Sequence, residues 1–325
     1  MTTPSRSWLV GGYGPDGGGD SRGIVRLRTE PDGTLAVEAL LVETPSPSFL
    51  LVDGEAVVAV AEGRGTVDAF SRGPRGGLRP LWSASSGGTA PCALARWGPV
   101  LAVADYGDGA LGIVADGRLR QVLPGEGSGP GPGQDGPHAH AVLPLDAATM
   151  LSLDLGADRV HVHERSGIDV SRTGSVRLPA GTGPRDLLRH PGGALLVLGE
   201  LSCELLVLED GVVTAVVPLP GAEPGDHAAG LALGAGGRFL YTALRGSDRI
   251  AVVELPAGGA PRAVGWVPSN GSGPRHLVVD GPLLHVANLR SSGVASFRLG
   301  VDGRPSPLGR PTPVASPSYL VAESR

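Results

Sequence analysis

The 325-residue chain contains no lysine: all 27 of its basic residues are arginine. That excludes chemistry built on a Schiff-base lysine and a phosphate loop built on a P-loop lysine. Any anion gripped by a long basic side chain must be gripped by arginine, whose planar fork offers a carboxylate or phosphate two parallel donors. Cysteine is almost as scarce. Cys92 and Cys203 alone are no disulfide framework. Aromatics make up only 4% of the chain, so its core must be mainly aliphatic. No apolar run approaches the ~20 residues of a membrane span. The opening "MTTPSRSWLVGGYG" lacks the apolar centre of a signal peptide. No segment keeps a helical period. A net charge of −5 gives no basic excess for nucleic acid. These absences lead to the expectation of a soluble cytoplasmic protein, monomeric, with neither nucleic acid nor membrane as partner.

What the chain has in excess is glycine (53) and proline (30). Such a composition can mark disorder. Here the two residues punctuate short apolar runs such as "EAVVAVAE" and "ALLVLGEL", the pattern of strands separated by turns.

The runs repeat. "GTGPRDLLRHPGGALLVLGEL" at 181–201 is nearly restated by "GSGPRHLVVDGPLLHVANLR" at 271–290. A small or polar residue, then usually proline, then an apolar run recurs at Pro47, Pro91, Pro137, Pro184, Ala228, Pro274 and Pro317. The steps are 44, 46, 47, 44, 46 and 43 residues, a period typical of propeller blades. Within each unit a second strand ends in a small polar loop, as in "LDLGADRVHVHE" and "TALRGSDRIAVVEL". The N-terminal segment has strands but no preceding proline cue, and "SPSYLVAES" near the C-terminus has the cue with nothing after it. The two ends complete one unit. The expected fold is therefore all-β, one domain over residues 1–325: a seven-bladed β-propeller of four-stranded antiparallel blades, closed by N- and C-terminal strands in one blade.

In such a ring the first strand of each blade lines the channel. The loop after the second strand returns to the same mouth, and a concave mouth with convergent polar groups is the default binding site. The repeat is uneven there. Ser48, Cys92 and Ser318 follow the proline in three units, whereas His138, Arg185 and Arg275 with His276 stand in others. The second-strand loops add Glu200 and Arg245. Of His138 and His140, two apart in one run, His138 is expected to face the channel and His140 the sheet. Arg185, Arg275, Arg245 and His276 are candidates for binding an anionic substrate. His138 and Glu200 are candidates for proton transfer. Glu200 follows an apolar run, where a buried carboxylate needs a partner. Asp158 and Asp248 hold equivalent turn positions and are expected to tie the repeat together. His161 and His163 are expected at the surface, and His190 in a turn on the opposite face. No cluster of hard oxygen ligands marks a metal site, and no cofactor is expected.

The quoted segments, with "GPHAHAV" and "GRFLYTALRGSDRIAVVEL", resemble the seven-bladed propeller lactonases, which include propeller-type 6-phosphogluconolactonases and carboxymuconate-lactonizing enzymes. The resemblance implies hydrolysis of a small anionic lactone without a metal, or the related cyclisation. It carries site candidates onto His138, Arg185, Glu200 and Arg275. The chain departs from the family's pattern at Asp186, Gly230 and Leu244. A propeller that binds a ligand or protein without chemistry is the alternative, since the fold alone does not decide function.

Overall fold

Each apolar run between glycine- or proline-rich turns forms one strand. In the computed structural model, which describes residues 6–73 and 76–323, the strands assemble into seven four-stranded antiparallel sheets. Six of them use consecutive strands and are numbered in chain order: blade 1 (50–85), blade 2 (91–123), blade 3 (139–177), blade 4 (184–218), blade 5 (228–268) and blade 6 (274–313). The closing blade takes three strands from residues 7–43 and its inner strand, Pro317–Ala322, from the other end of the chain. There Trp8 pairs with Ala322, Leu9 with Val321 and Val10 with Leu320. The expected pairing therefore holds as far as Ala322; its continuation over residues 324 and 325 lies outside the described residues.

The burial pattern follows from blade stacking. Second strands such as Val100–Asp105 and Leu283–Asn288 are buried at every position. Both their faces pack on neighbouring blades, so they read as unbroken apolar runs. Outer strands such as Arg118–Leu123 alternate, with one face to solvent. The core is a ring of clusters between blades. Leu198 and Leu205 of blade 4 meet Leu240, Leu244 and Ala251 of blade 5, all fully buried. Each such leucine stabilises the fold by about 1.5–3 kcal/mol. The blades approach so closely that some positions admit no side chain at all. A Cβ on Gly112 would overlap the Ser86 carbonyl oxygen, whose own residue is tied by its N–H to the Gly65 carbonyl. Gly112→Ala is expected to destabilise the protein by about 3 kcal/mol, near the upper end for overpacking. Gly136→Ala, where a Cβ would meet nothing within 4 Å, should leave the melting temperature unchanged.

Two histidines expected at the surface are instead buried. His161 and His163 lie on the third strand of blade 3, Arg159–Ser166, which packs between sheets. His163 meets Ser152 Oγ at 2.8 Å, and His161 meets Ser175 Oγ at 2.6 Å. Burial keeps imidazoles neutral: it pushes His163 and His276 down to about 3, and His285 to about 4. All three are depressed below their unfolded values, so the unfolded chain takes up protons first as pH falls. Their contribution to stability should be fully present above pH 6.5 and fall by up to ~4 kcal/mol per pH unit between pH 6 and 4, opposed in the same window by Asp105, which burial raises to about 7. Urea unfolding across that range measures the slope. A flat profile would show that these histidines are protonated in the fold.

Asp158 and Asp248 hold the repeat as expected. Asp158, at a positive-φ turn position, accepts from the N–H groups of Gly181 and Gly183 at 2.7 Å each; Asp248 accepts from Gly273 N–H at 2.7 Å. Each ties the turn of one blade to the segment entering the next.

Candidate functional site

The inner strands start irregularly, and the irregularity builds the site. Opposite the second strand, the register slips between Pro91 and Ala93, Ala139 and Ala141, Pro184 and Asp186, and Pro274 and His276. The residue skipped is Cys92, His140, Arg185 and Arg275 in turn. A bulge re-aims its side chain. All four line one central cavity of about 250 Å³, together with Ser318 of the closing blade's inner strand and Ser48, two residues before that of blade 1. In blade 5 the slip falls at Gly230, which presents no side chain to the same cavity.

This corrects the reading of "GPHAHAV". Ala139, not Pro137, takes the place of Pro184, so His140 takes the place of Arg185. His140 lines the cavity; burial first, then the Arg185 charge, holds its imidazole neutral. His138 precedes the strand and does not line the cavity. Its ring stacks on Tyr106 with centroids 4.6 Å apart. Its Nδ1 lies 2.6 Å from the Tyr106 carbonyl oxygen and therefore donates to it. Its Nε2 lies 3.9 Å from the Asp135 carboxylate. Residues two apart on a strand share a face, so alternation does not separate these two histidines; they differ because His138 precedes the strand and His140 is the bulged residue.

A second ring of residues surrounds the mouth. After each second strand one backbone N–H bonds to the segment entering the inner strand: Tyr13 to Ser316, Glu62 to Ser46, Tyr106 to Ala90, Leu155 to His138, Glu200 to Gly183, Arg245 to His227 and Leu289 to Gly273. Seven equivalent bonds make Glu200 and Arg245 neighbours around the ring, in blades 4 and 5. The Glu200 carboxylate accepts from Arg185 Nη1 at 2.5 Å, from Arg245 Nη2, and from His227 Nδ1 at 3.2 Å. The partner that a buried carboxylate demanded is thus present three times over. Burial alone would raise the Glu200 pKa. The Arg185 charge, the His227 hydrogen bond and the Arg245 charge overcome it and hold the carboxyl well below the usual range. Burial likewise opposes the charge on Arg185, but Glu200 outweighs it. Arg245 drops to about 10, through burial and then the repulsion of Arg185. One carboxylate cannot neutralise both guanidinium groups.

Across the cavity, Arg275 Nη2 donates to the Tyr13 hydroxyl at 2.5 Å, with its guanidinium over the Tyr13 ring at 4.9 Å. The Glu62 carboxylate, beside Tyr13, accepts from Ser48 Oγ at 2.5 Å. His276 packs on Tyr319 at 4.0 Å, and its Nδ1 accepts from Leu320 N–H at 3.2 Å, so its proton sits on Nε2. Cys92 also lines the cavity, but burial pushes its thiol far up, so it is a neutral thiol and no nucleophile. Among the described residues, no group of three or more His, Cys, Asp or Glu side chains is placed to hold a metal ion.

Arg185, Arg275 and His276 therefore meet in the central cavity. Glu200 and Arg245 meet with Arg275 in an adjoining cleft of about 410 Å³ at the rim. Sequence reasoning missed His140, Tyr13, Glu62 and His227. His227 carried a signal: with His138 it is one of two large polar residues at a position that the other five units fill with Gly, Ser or Ala.

Residues 7–322 match the family described as "Lactonase, 7-bladed beta-propeller". A 6-phosphogluconolactonase of Bacillus subtilis (strain 168) is 30% identical over 158 residues, 45% of this chain and 45% of its own length. An uncharacterized protein of Lactococcus lactis subsp. cremoris is 30% identical over 176 residues, 50% of this chain and 52% of that one. The chain thus spans about half the length of the curated relatives it matches. Among solved structures, the periplasmic gluconolactonase PpgL of Pseudomonas aeruginosa superposes with a TM-score of 0.86 at 26% identity over 99% of both chains. A Lactobacillus plantarum protein reaches 0.90 at 24% identity, over 99% of this chain and 100% of its own.

Proposed function

Because the chain belongs to the seven-bladed β-propeller lactonase family, we propose that it hydrolyses a small lactone bearing a carboxylate or phosphate, with its site at the channel mouth. The observation that carries this reading is charge. Arg185, Arg275 and Arg245 stand against the carboxylates of Glu200, shared by Arg185 and Arg245, and Glu62, while burial raises the pKa of Asp186, the other carboxyl lining the cavity. A positive charge left over in a partly desolvated site recruits an anion. One guanidinium holds the anionic substituent. The other, with the Nε2–H of His276, faces the ring carbonyl and stabilises negative charge as it develops on that oxygen. The cavity is small for a ligand site, which suits a single-ring substrate. The name of the Bacillus relative makes a phosphorylated sugar lactone the first compound to test.

The test is turnover on 6-phosphogluconolactone beside a panel of unphosphorylated and neutral lactones. The expected result is hydrolysis with kcat/KM highest for an anionic lactone. A pure, folded protein that hydrolyses none of them would leave the mouth as a binding surface only.

A further inference from the structure

Lactone hydrolysis needs a group that takes a proton from water and returns one to the ring oxygen, so the assignment of that group rests on the lactonase reading. The two proton-transfer candidates from the sequence do not supply it. The Glu200 carboxylate is held strongly acidic by its two arginines, which makes it a feeble base, and its oxygens are already engaged. His138 does not line the central cavity: its Nδ1 is engaged by the Tyr106 carbonyl and its Nε2 lies 3.9 Å from the Asp135 carboxylate. We propose that His227 is the general base, and that Glu200 is the positioning residue that fixes its tautomer.

The geometry is that of an imidazole oriented by a carboxylate. A carboxylate oxygen can only accept, so the 3.2 Å contact between Glu200 Oε1 and His227 Nδ1 places the proton on Nδ1. The lone pair is then on Nε2. The backbone beneath is fixed as well: the His227 carbonyl accepts from the Arg245 N–H at 3.1 Å and from its Nε at 3.2 Å. The His227 side chain is 50% exposed, so water reaches it. It lines the rim cleft with Glu200, Arg245, Arg275 and Arg290. Arg275 belongs to this cleft and to the central cavity alike, so an anion held by Arg275 lies beside both. The charged groups facing the imidazole are thus Glu200 and Arg245 from the second-strand loops, and Arg275 and Arg290 from blade 6. Asp226, next to it in the chain, turns its carboxylate to the N–H groups of Glu223, Gly246 and Ser247.

In the step this arrangement performs, Nε2 takes a proton from water as the water oxygen bonds to the lactone carbonyl carbon. The electron pair of the C=O bond moves onto the carbonyl oxygen, beside the arginines. When that tetrahedral species collapses, the bond from the acyl carbon to the ring oxygen breaks, and the ring oxygen takes the proton from Nε2. The product is the open-chain hydroxy acid, and His227 returns to its starting form.

Two measurements test this. His227→Ala should melt as the parent does, lose at least ~10²-fold in kcat, lose the acid limb of the parental kcat/KM profile, and regain activity with added imidazole. A folded His227→Ala with the parental kcat overturns the assignment while a hydrolysing parent keeps the lactonase reading. Separately, 15N NMR of the His227 ring at pH 8 should show Nδ1 protonated and Nε2 bare. The opposite tautomer overturns the assignment whatever the turnover, and a parent inactive on every lactone overturns both.

Discussion

Deleting residues 317–325 is expected to abolish the cooperative melting transition. The lost strand, Pro317–Ala322, is the inner strand of the closing blade, and among the described residues no other strand pairs with that edge of Ser7–Gly12. Leu320 is 1% exposed and packs with Trp8, Val10 and Leu27. Tyr319 packs on Phe49, at the entry to blade 1, and on His276 of blade 6, and Ser318 Oγ donates to the Ser48 carbonyl at 2.9 Å. The strand therefore joins three blades. Removing it uncovers the edge of Ser7–Gly12, an unpaired strand open to aggregation. Large apolar side chains buried here contribute about 1.5–3 kcal/mol each, and several lost together rival a total stability of about 5–15 kcal/mol. Glu323→Ala is the graded control. Its carboxylate takes Arg26 at 2.8 Å and also Arg72, so its loss should lower the melting temperature without destroying the transition. Calorimetry on both variants decides. A truncated protein that melts at the parental temperature would mean that the ring does not depend on its closing strand.

That closure was legible because it rests on spacing. A 45-residue period survives substitution of almost any single residue, and Ala228 could stand for proline without hiding the repeat. Arg185, Arg275 and Glu200 were legible for a related reason: each interrupts an apolar or small-residue pattern with a charge that must be compensated. His138 and His140 were not, because the distinction depends on a one-residue bulge that composition does not mark. His161 and His163 looked like polar residues on an outer strand. The third strand of each blade is in fact covered by its neighbours, and serine hydroxyls supply the hydrogen bonds that let imidazoles stay there. The seven backbone bonds around the mouth place His227 beside Glu200, but only the folded ring shows that its side chain turns toward the carboxylate.

The second large effect is expected at the pair that joins this network to the cavity. Arg185 is 7% exposed, and its Nη1 donates to Glu200 Oε2 while the side chain lines the central cavity. Arg185→Lys keeps the charge but replaces a planar fork with a point donor. It should cost about 10²–10³-fold in kcat/KM on an anionic lactone, the scale of one lost donor to developing negative charge, and much less on a neutral one if the guanidinium holds the anionic substituent. Equal losses on both would make carbonyl polarisation, or the support of Glu200, its sole task. Glu200→Gln separates those. It removes the negative charge between the buried Arg185 and the partly buried Arg245, and breaking a buried pair destabilises by about 3–5 kcal/mol. It also weakens the orientation of His227, so turnover should fall in the variant that remains folded at low temperature. Combining the two substitutions should cost less than the sum of the separate losses, because each removes the same Arg185–Glu200 contact. Additive losses in both melting temperature and kcat/KM would show instead that the two residues act independently, with Arg185 serving the ligand and Glu200 serving only the fold.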